Sequence, residues 1–264
     1  MKTRSITPLF ISQTVRAFVA RHMPGLGPLK RYIVAQKHHL AVKPSYSQHG
    51  EDQELLAYTQ SGGFDLDGAI YVDVGANHPT DISNTYLLYR AGFHGVAVEP
   101  NRELCRLFEK FRPRDTVLNL GCSDRSGVFR FNVSNTPVLS SFVENWRDAD
   151  IYASYYVPVL RLDDALRQIE CSYVFLLSID VEGLNEEVLR GAAETLARTL
   201  LVCIEWDEEN DIKTFGDILG PGFTYLKSIG CNALFENTAL AAGGGRPALI
   251  PSAADADWGI PLEA

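Results

Sequence analysis

The sequence lacks any long run of apolar residues. A membrane-spanning helix needs roughly 18–20 of them in succession, and no stretch of this 264-residue chain approaches that length. Cysteine is also scarce, and its five positions lack the close pairing of a zinc site. They are Cys105, Cys122, Cys171, Cys203 and Cys231. Because three of them lie in apolar stretches, we predict reduced thiols in the core of a cytoplasmic protein.

Acidic residues are absent from the first 50 positions, which contain eight Lys or Arg and carry a formal charge of +8. The remaining 16 basic and 33 acidic residues give the rest of the chain a charge of −17. A field that negative argues against nucleic acid as the partner of the main body.

Residues 9–23 have the spacing of a helix with one apolar face. The face consists of Leu9, Ile11, Val15, Phe18 and Val19. Two alternatives stay open: a basic helix on the anionic inner surface of a membrane, or a helix packed on the domain or on a partner subunit. "PGLGP" (24–28) is predicted to end this helix, so that residues 1–43 form a basic N-terminal helical arm.

From residue 70 onward, short apolar runs alternate with helical patterns. The runs "AIYVDVGAN", "GVAVEPN", "VLNLGCSD", "YVFLLSIDVEG" and "LLVCIEWDEEN" each end in polar or acidic residues. Helices are predicted at 82–91, 102–111, 162–169 and 186–196. This alternation predicts an α/β fold, a doubly wound and mostly parallel sheet with helices on both faces. Ligands then bind beyond the carboxyl ends of the strands.

The remaining segments predict smaller features. Residues 222–230 and 231–238 have no helix between them and suit a final antiparallel pair, while 128–134 and 140–145 suggest an inserted hairpin beside the site. The Gly/Pro/Ala-rich tail, 243–264, is predicted to be loosely held. Residues 44–242 are left as the main domain.

The loop after the first strand, in "IYVDVGANHP" (70–79), has the character of a ligand site. Gly75 permits close approach of a ligand, and a helix that follows would offer unpaired N–H groups. A dinucleotide site would require G-x-G-x-x-G, whereas this loop has a single glycine. NAD is therefore disfavoured. An acidic residue leading into the loop, Asp73, suits a ligand with a cationic or amine-bearing end.

Polar residues recur at the next strand ends. Glu99 follows Asp73 by 26 positions, near where an acidic side chain accepts hydrogen bonds from ribose hydroxyls. Ser123 and Asp124 end the third strand, where they could accept from the exocyclic amine of a base. Each could instead be a helix cap, since Asp124 and Asn101 are good N-cap types. Their recurrence favours a functional role.

Carboxylates concentrate at the fourth and fifth strand ends, as Asp180, Glu182, Glu205 and Asp207. Either they bind Mg²⁺, with Asp180 and Glu205 as ligands, or one of that pair acts as a base on a substrate hydroxyl while the other assists. His78 and His49 are further candidate bases because histidine titrates near neutral pH. The alternative for both is a structural histidine.

Three stretches together resemble the FkbM family of S-adenosylmethionine-dependent methyltransferases. They are "YSQHGEDQELL" (46–56), "VDVGANHPTDISNTYLLYRAGFHGVAVEPN" (72–101) and "LSIDVEGLNEEVLRGA" (177–192). The resemblance spans roughly residues 45–240. It implies a class I methyltransferase fold, a Rossmann-like sheet of seven strands whose last strand is antiparallel. It also implies methyl transfer to oxygen, on a hydroxyl of a sugar, glycan or secondary metabolite.

The resemblance also assigns roles to residues of this chain. Asp73, Gly75 and Asn77 would hold the methionine end of the cofactor, Glu99 with Pro100 its ribose, and Ser123 with Asp124 its adenine. Asp180 would lie near the transferred methyl group, and Ser47, Gln48, Glu51 and Asp52 would fold over the cofactor. One departure is His78-Pro79, which stands where many members have a glycine-containing turn.

Two other functions stay open at this point. One is an NAD-dependent sugar oxidoreductase, against which the single-glycine loop argues. The other is a non-catalytic module that binds the cofactor and docks on a membrane or an assembly through the basic arm. The acceptor is expected to meet the aromatic-rich segment 134–160, which could stack on a ring or serve ordinary packing.

Overall fold

Two sheets and the helices around them make up the computed structural model, which describes residues 26–61, 64, 68–169 and 173–244. The strands are β1 (Ala69–Val74), β2 (Gly95–Val98), β3 (Thr116–Leu118), β4 (Gly121–Cys122), β5 (Gly127–Ser134), β6 (Ile151–Leu160), β7 (Tyr173–Ile179), β8 (Thr199–Glu205), β9 (Phe223–Ile229) and β10 (Asn232–Asn237). The helices are α1 (Leu26–Leu40), α2 (Glu51–Ser61), α3 (Tyr86–Arg90), α4 (Arg102–Phe111), α5 (Leu162–Ala165), α6 (Asn185–Arg190), α7 (Ala193–Leu196), α8 (Glu209–Leu219) and α9 (Thr238–Gly244). The helix predicted at 9–23, Cys171 and tail residues 245–264 lie outside the described residues.

The main sheet has seven strands in the order β3-β2-β1-β7-β8-β10-β9. The five strands from β3 to β8 pair in parallel. β10, the last strand in the chain, runs antiparallel to both β8 and β9. The chain therefore winds in opposite directions from β1 and β7, and the carboxyl ends of these two strands mark the switch point. The predicted fold class is confirmed, together with the final antiparallel pair.

Both faces of the main sheet are buried because helices pack on each of them. In β1, Ile70, Val72 and Val74 face a core that α5, α6 and α8 complete. Ala69 and Tyr71 face the opposite core, to which α2, α3 and α9 contribute. A strand covered on both sides needs apolar residues at successive positions. The central strands consequently show continuous apolar runs rather than alternation.

The inserted hairpin predicted at 128–134 and 140–145 is wrong in its second strand. β5 pairs antiparallel with β6, and β4 joins the other side of β6 to make a three-stranded sheet. Residues 135–150 connect β5 to β6, and Asn132 and Ser141 form an isolated bridge there in place of a strand pair. The Ser141 hydroxyl instead donates to the main-chain oxygen of Glu182 at 2.7 Å. This tertiary contact draws residues 140–145 away from the sheet.

Three of the four predicted helices between strands differ in extent. The helix at 102–111 is confirmed as α4. The one predicted at 82–91 begins only at Tyr86, and that at 162–169 ends at Ala165. The one predicted at 186–196 is split into α6 and α7, with Gly191 closing α6. Glycine disfavours a continuous helix by about 1 kcal/mol relative to alanine.

Helix α1 begins inside "PGLGP", which the sequence predicted to be a break. Pro28 lies in its first turn, where the missing N–H costs no hydrogen bond. The helix packs on the body: Arg31 forms an ion pair with Glu103 at 2.6 Å, and Lys110 donates to the Tyr32 hydroxyl at 2.7 Å. Among the described residues, no helix has both the length and the apolar character needed to cross a membrane.

Candidate functional site

A cleft opens where the strand order reverses, at the carboxyl ends of β1, β2, β7 and β8. Parallel α/β sheets bind ligands at such points because the loops there diverge to opposite faces. Eight residues predicted as site residues line it: Gln48, Asp73, Gly75, Asn77, Glu99, Pro100, Asp180 and Glu205. The fold thus brings together side chains that the sequence places at four different strand ends and in the segment before α2.

The floor of the cleft is the backbone at Gly75. Its φ is +80°, and a Cβ built there would lie 1.8 Å from the main-chain oxygen of Asp180. The Gly75 N–H donates to the Val98 oxygen at 3.0 Å, and the Asp180 N–H donates to the Val74 oxygen at 2.9 Å. Only glycine fits this position, because the backbone of Asp180 fills the space that a side chain would need.

Glu99 and Asn77 form one wall. The Glu99 carboxylate accepts from the backbone N–H of Asn77 at 2.7 Å and from that of Asn101 at 2.6 Å. Burial raises the pKa of Glu99 to about 7. The buried Oδ1 of Asn77 has no hydrogen-bond partner in the described part of the chain. A buried acceptor without a donor costs stability, so this atom points to a donor supplied by a ligand.

Asp73 is buried beneath the loop and bound by protein groups. Its carboxylate accepts from the Thr85 hydroxyl at 2.5 Å and from the hydroxyl of Ser178. Arg112 donates in turn to the Thr85 hydroxyl at 2.9 Å. Burial raises the pKa of Asp73, and the positive charge of Arg112 opposes that rise. Asp73 therefore supports the floor from below, and its expected contact with the methionine end stays a prediction.

The opposite wall carries the predicted carboxylates. Carboxylate oxygens of Asp180, Glu182 and Glu205 lie within 4.8 Å of one another. Burial raises the pKa of all three, to about 7 for Glu182 and well above the usual range for Asp180. The hydrogen bond between Asp180 and Glu205 raises the pKa of Asp180 and lowers that of Glu205. Asp180 and Glu205 are therefore a hydrogen-bonded pair of carboxyl groups at the cleft, and the pKa of Asp180 is raised further by its partner.

Residues 135–150, which connect β5 to β6, close this side of the cleft. We call them the cap segment. Trp146 Nε1 donates to the Glu182 carboxylate at 2.6 Å, and Arg147 forms ion pairs with Asp207 and, at 3.8 Å, with Glu182. The cap residues that line the cleft are Pro137, Val138, Leu139, Ser140, Phe142 and Arg147. The acceptor segment expected at 134–160 thus contributes to the cleft chiefly through its non-strand part.

The segment before α2 contributes one predicted residue, Gln48, to the cleft lining. Glu51 is fully buried and accepts from the His49 N–H at 2.8 Å and from Asn232 Nδ2 at 3.0 Å. Asp52, also fully buried, is the acceptor for four donors of its own segment. The donors are the hydroxyls of Ser45 and Ser47 and the N–H groups of Tyr46 and Gln53. Glu51 and Asp52 therefore shape the segment from inside.

Two further predicted residues lie next to the cleft rather than in its lining. Ser123 is buried and Asp124 is exposed, directly after β4, whose Gly121 and Cys122 do line the cleft. Their hydroxyl and carboxylate bond to each other at 3.2 Å. A role of this pair at the adenine stays a prediction.

His78 also lies outside the cleft lining. Its Nε2 bonds to the main-chain oxygen of Arg31 at 3.1 Å, and its Nδ1 accepts from the Thr80 N–H at 3.3 Å. Burial lowers the pKa of His78, which keeps the ring neutral. With both nitrogens bound by backbone groups, the geometry favours the structural alternative over a catalytic base. The unusual His78-Pro79 pair joins the loop to α1.

The structure adds lining residues that sequence reasoning missed, among them Ser83, Asn84 and Ser178. Ser178 had a detectable signal, since it is a lone hydroxyl in the apolar run "YVFLLSI". Ser83 and Asn84 lie in the irregular stretch before α3 that the sequence predicted to be helical. A helix predicted there would place these two side chains on a helix surface, so their position in the lining of the cleft was not foreseen.

The residues present fit the S-adenosylmethionine that the resemblance implies. The lining is rich in carboxylates, which suits a ligand with a sulfonium and an amine. Asn77 Oδ1 lacks a donor, and Glu99 offers a carboxylate next to it. No second glycine follows Gly75, and the next helix starts only at Tyr86, so a pyrophosphate would find no helix N-terminus at the loop.

Two solved structures are similar to the chain. A methyltransferase FkbM from Methylobacillus flagellatus KT has 17% identity and a TM-score of 0.44 over 83% of this chain and 60% of its own. A Pyrococcus horikoshii protein provisionally assigned as an RNA methyltransferase has 13% identity and a TM-score of 0.35, over 80% of this chain and 97% of its own. The chain thus spans 60% of the first protein's length. No curated protein sequence matches it.

The family model of the methyltransferase FkbM domain matches residues 73–220, more than half of the chain. The matched region runs from Asp73 at the end of β1 to the end of α8. It includes Glu99 and the carboxylate wall. The chain therefore belongs to the FkbM methyltransferase family.

Proposed function

We propose that this methyltransferase uses S-adenosylmethionine to methylate a hydroxyl group of a sugar, glycan or secondary-metabolite acceptor. The observation that carries the proposal is the placement of two unlike walls across one cleft. Asn77 and Glu99 offer acceptors suited to an amine and to ribose hydroxyls. Asp180 and Glu205, opposite them, form a pair able to take up a proton.

The cofactor, when bound, supplies an electrophilic methyl group on sulfur. Glu99 would accept hydrogen bonds from the ribose hydroxyls, and the Asn77 amide oxygen would accept from the amine. Gly75 lets the loop after β1 pack directly on the backbone of Asp180, which would hold these two acceptors in place. The task of these residues is alignment, since reaction of a well-oriented pair requires little further assistance.

An alcohol becomes a good nucleophile only when its proton is removed or its oxygen is polarised. In this proposal Asp180 carries the proton of the hydrogen-bonded pair, which leaves the Glu205 carboxylate to accept the proton of the hydroxyl group. Burial raises the pKa of Glu205 and so strengthens it as a base near neutral pH. Glu205 would take the hydroxyl proton while Asp180 orients the carboxylate.

The same carboxylates are suitable ligands for Mg²⁺, and this alternative has a distinct test. Oxygen atoms of Asp180, Glu182 and Glu205 are close enough together to share one cation. If a metal polarises the acceptor oxygen, a chelator abolishes methyl transfer and Mg²⁺ restores it. If the pair acts as a base, transfer continues in chelator. We favour the base because the carboxyl groups of Asp180 and Glu205 are hydrogen-bonded to each other.

The proposal is tested by calorimetry and by methyl transfer. We expect the chain to bind S-adenosylhomocysteine and not NAD(H), and Glu99→Gln to weaken that binding at least tenfold. Glu109→Gln, an exposed glutamate on α4, is the matched control and should bind like the wild type. Absence of S-adenosylhomocysteine binding at millimolar concentration would sink the proposal, and NAD(H) binding would favour the oxidoreductase.

Catalysis is separated from binding by a second pair of variants. Asp180→Asn and Glu205→Gln should retain cofactor binding but lose methyl transfer to a panel of sugar and polyketide alcohols by about 10²-fold or more. Asp217→Asn, exposed on α8, is the control. Cofactor binding without transfer to any acceptor would leave the non-catalytic module as the surviving alternative.

A further inference from the structure

Outside the cleft, three metal-binding side chains converge from two distant segments. They are His49, from the turn before α2, Glu51, the first residue of α2, and Cys231, from the turn between β9 and β10. One ligand atom of each lies within 4.8 Å of the other two. Sequence reasoning could not detect this group, because its cysteine is far from the other two residues along the chain.

Each of the three side chains retains free binding capacity. The His49 ring makes no hydrogen bond with any described residue, and it is exposed. Glu51 is fully buried, and no Lys or Arg of the described ranges lies within ion-pair distance of its carboxylate. Each of its oxygens accepts one N–H, which leaves a second lone pair on each. The Cys231 thiol lies within hydrogen-bond reach of Glu205.

The backbone holds the two segments against each other. Gly230, just before Cys231, has a φ of +55°, and a Cβ built on it would lie 2.1 Å from the His49 ring. Glycine therefore lets the β9–β10 turn rest directly on the imidazole. Asn232, just after Cys231, donates to Glu51 and orients its carboxylate. Such an outer hydrogen bond is typical of the surroundings of metal ligands.

We propose that His49, Glu51 and Cys231 bind a divalent transition metal of the zinc type, with a fourth position open to water. Imidazole, carboxylate and thiolate form a mixed set that zinc accepts, whereas Mg²⁺ and Ca²⁺ prefer oxygen alone. Binding converts the thiol to a thiolate and releases its proton to solvent. The metal would link two segments: the one before α2, which places Gln48 in the cleft, and the β9–β10 turn.

Cobalt titration of the full chain after treatment with chelator tests this site. Co²⁺ replaces Zn²⁺ in such sites, and a thiolate ligand gives it a charge-transfer absorption in the near ultraviolet. We expect one Co²⁺ per chain with this band, displaced by Zn²⁺. Cys231→Ser should abolish the band, and His49→Gln should weaken affinity by more than the 10–100-fold typical of changes around ligands. His94→Gln, an exposed histidine elsewhere, should change neither.

Three outcomes overturn the proposal: no stoichiometric uptake by the wild type, uptake without the charge-transfer band, or uptake unchanged in both ligand variants. The second would place the metal on the carboxylates of the cleft. Thermal unfolding of each apo variant checks that it folds. None of these readouts depends on methyl transfer, so the proposed function can fail while the metal site stands.

A separate observation concerns the outward face of α1. Leu29, Ile33 and Leu40 are 52%, 56% and 74% exposed, and Val42 just beyond the helix is 59% exposed. Positions 29, 33 and 40 share one helix face. The opposite face is the one that packs on α4. Each of the side chains at 29, 33 and 40, the apolar stripe, is more than half exposed to solvent in the described part of the chain.

The charge around this stripe indicates what covers it. Lys30 and Lys37 are exposed and flank Ile33 on the same side. Residues 1–50 contain no acidic side chain, so a second copy of α1 would bring lysines together with no carboxylate to pair them. We infer that α1 rests its apolar stripe on an anionic lipid bilayer, with Lys30 and Lys37 against the headgroups.

Vesicle sedimentation of the full chain tests this inference. We expect binding to phosphatidylcholine vesicles only when phosphatidylglycerol is included, weakening as salt rises. The double variant Ile33→Glu/Leu40→Glu should lose at least tenfold in binding. Val128→Glu, at a residue 68% exposed on β5, should bind like the wild type.

Equal binding of the double variant and the wild type would overturn the inference. The inference would also be overturned if the double variant still bound vesicles while deletion of residues 1–25 abolished binding. The membrane contact would then lie in residues 1–25. A wild-type dimer in light scattering that the double variant converts to a monomer, without vesicle binding by either, would assign the stripe to a second copy.

Discussion

The main-chain oxygen of Asp180 occupies the space in which a side chain at residue 75 would begin. This contact between Gly75 and Asp180 joins the end of β1 to the end of β7. It therefore fixes the separation between Asn77 and Glu99 on one side of the cleft and the Asp180–Glu205 pair on the other. Alignment is the main contribution that the protein makes to methyl transfer, so the contact has a functional consequence beyond packing.

Gly75→Ala should lower the free energy of unfolding by about 3 kcal/mol or more, since the backbone strain at positive φ adds to a backbone clash. S-Adenosylhomocysteine binding should fall with it. Gly222→Ala is the matched control, because no atom lies within 4 Å of its added Cβ. Urea denaturation and calorimetry measure the two effects. A stable Gly75→Ala protein with unchanged affinity would contradict the geometry of the floor.

The pKa of Glu99, about 7, predicts a pH dependence of cofactor binding. Ribose hydroxyls donate to the ionised carboxylate, so affinity for S-adenosylhomocysteine should fall below pH 7, by up to about tenfold per pH unit. Glu99→Gln should bind weakly and without this dependence. Glu182→Gln, whose pKa is also about 7 in the wild type, should retain it.

The raised pKa of Glu99 also makes the free energy of unfolding depend on pH. Its folded pKa is raised above the ordinary value of 4.5, so the folded state binds more protons than the unfolded state between about pH 4.5 and 7. The stabilising contribution is complete below the unfolded pKa and is lost as pH rises through 7. The free energy of unfolding of wild type minus Glu99→Gln, measured across this window, should decrease with pH.

Arg112 is fully buried, and its loss should be costly. It donates to Asp115 at 2.7 Å and to the Tyr71 hydroxyl at 2.9 Å. Arg112→Met leaves the Asp115 carboxylate buried without its cation, which costs about 3–5 kcal/mol. Arg106→Met, exposed on α4, should change stability little. Denaturant midpoints provide the comparison, and equal midpoints would show that the buried pair contributes nothing.

Loss of the Trp146–Glu182 hydrogen bond is expected to impair binding of the methyl acceptor and to leave cofactor binding unchanged. Trp146→Phe removes the donor and one anchor of the cap segment, so the KM for the acceptor should rise while cofactor affinity is retained. It should also raise the pKa of Glu182, since that bond lowers it. Trp206→Phe is the control, because its buried indole N–H has no partner in the described residues. An unchanged KM for Trp146→Phe would exclude the cap from the acceptor site.

The meeting of four acidic side chains at the cleft could be predicted from sequence because of a simple rule of topology. Carboxyl ends of neighbouring parallel strands meet at one edge, so Asp73, Glu99, Asp180 and Glu205 had to be neighbours once the strands were identified. Side-chain direction does not follow from that rule. Asp73 consequently turns toward Thr85 below the floor, where no strand pattern could place it.

The resemblance was similarly limited for Glu51 and Asp52. It indicated their segment but not whether each side chain faces a ligand or the protein, and both are buried under their own turn. The cap segment was misread for another reason. Its course depends on Ser141 and Trp146 reaching Glu182, about 40 positions ahead. Local periodicity contains no information on such contacts.

The cap segment enters the fold as a single connection between β5 and β6, and it lines the same cleft as Asn77 and Glu99. If the cap segment contacts the acceptor, its exchange between relatives should alter which alcohol is accepted. Chimaeras that graft residues 135–150 from another family member, keeping Ser141 and Trp146, offer a direct route to new acceptor preferences. Because the cap segment is a single connection, its sequence can change without altering β1, β2 and the loops that follow them.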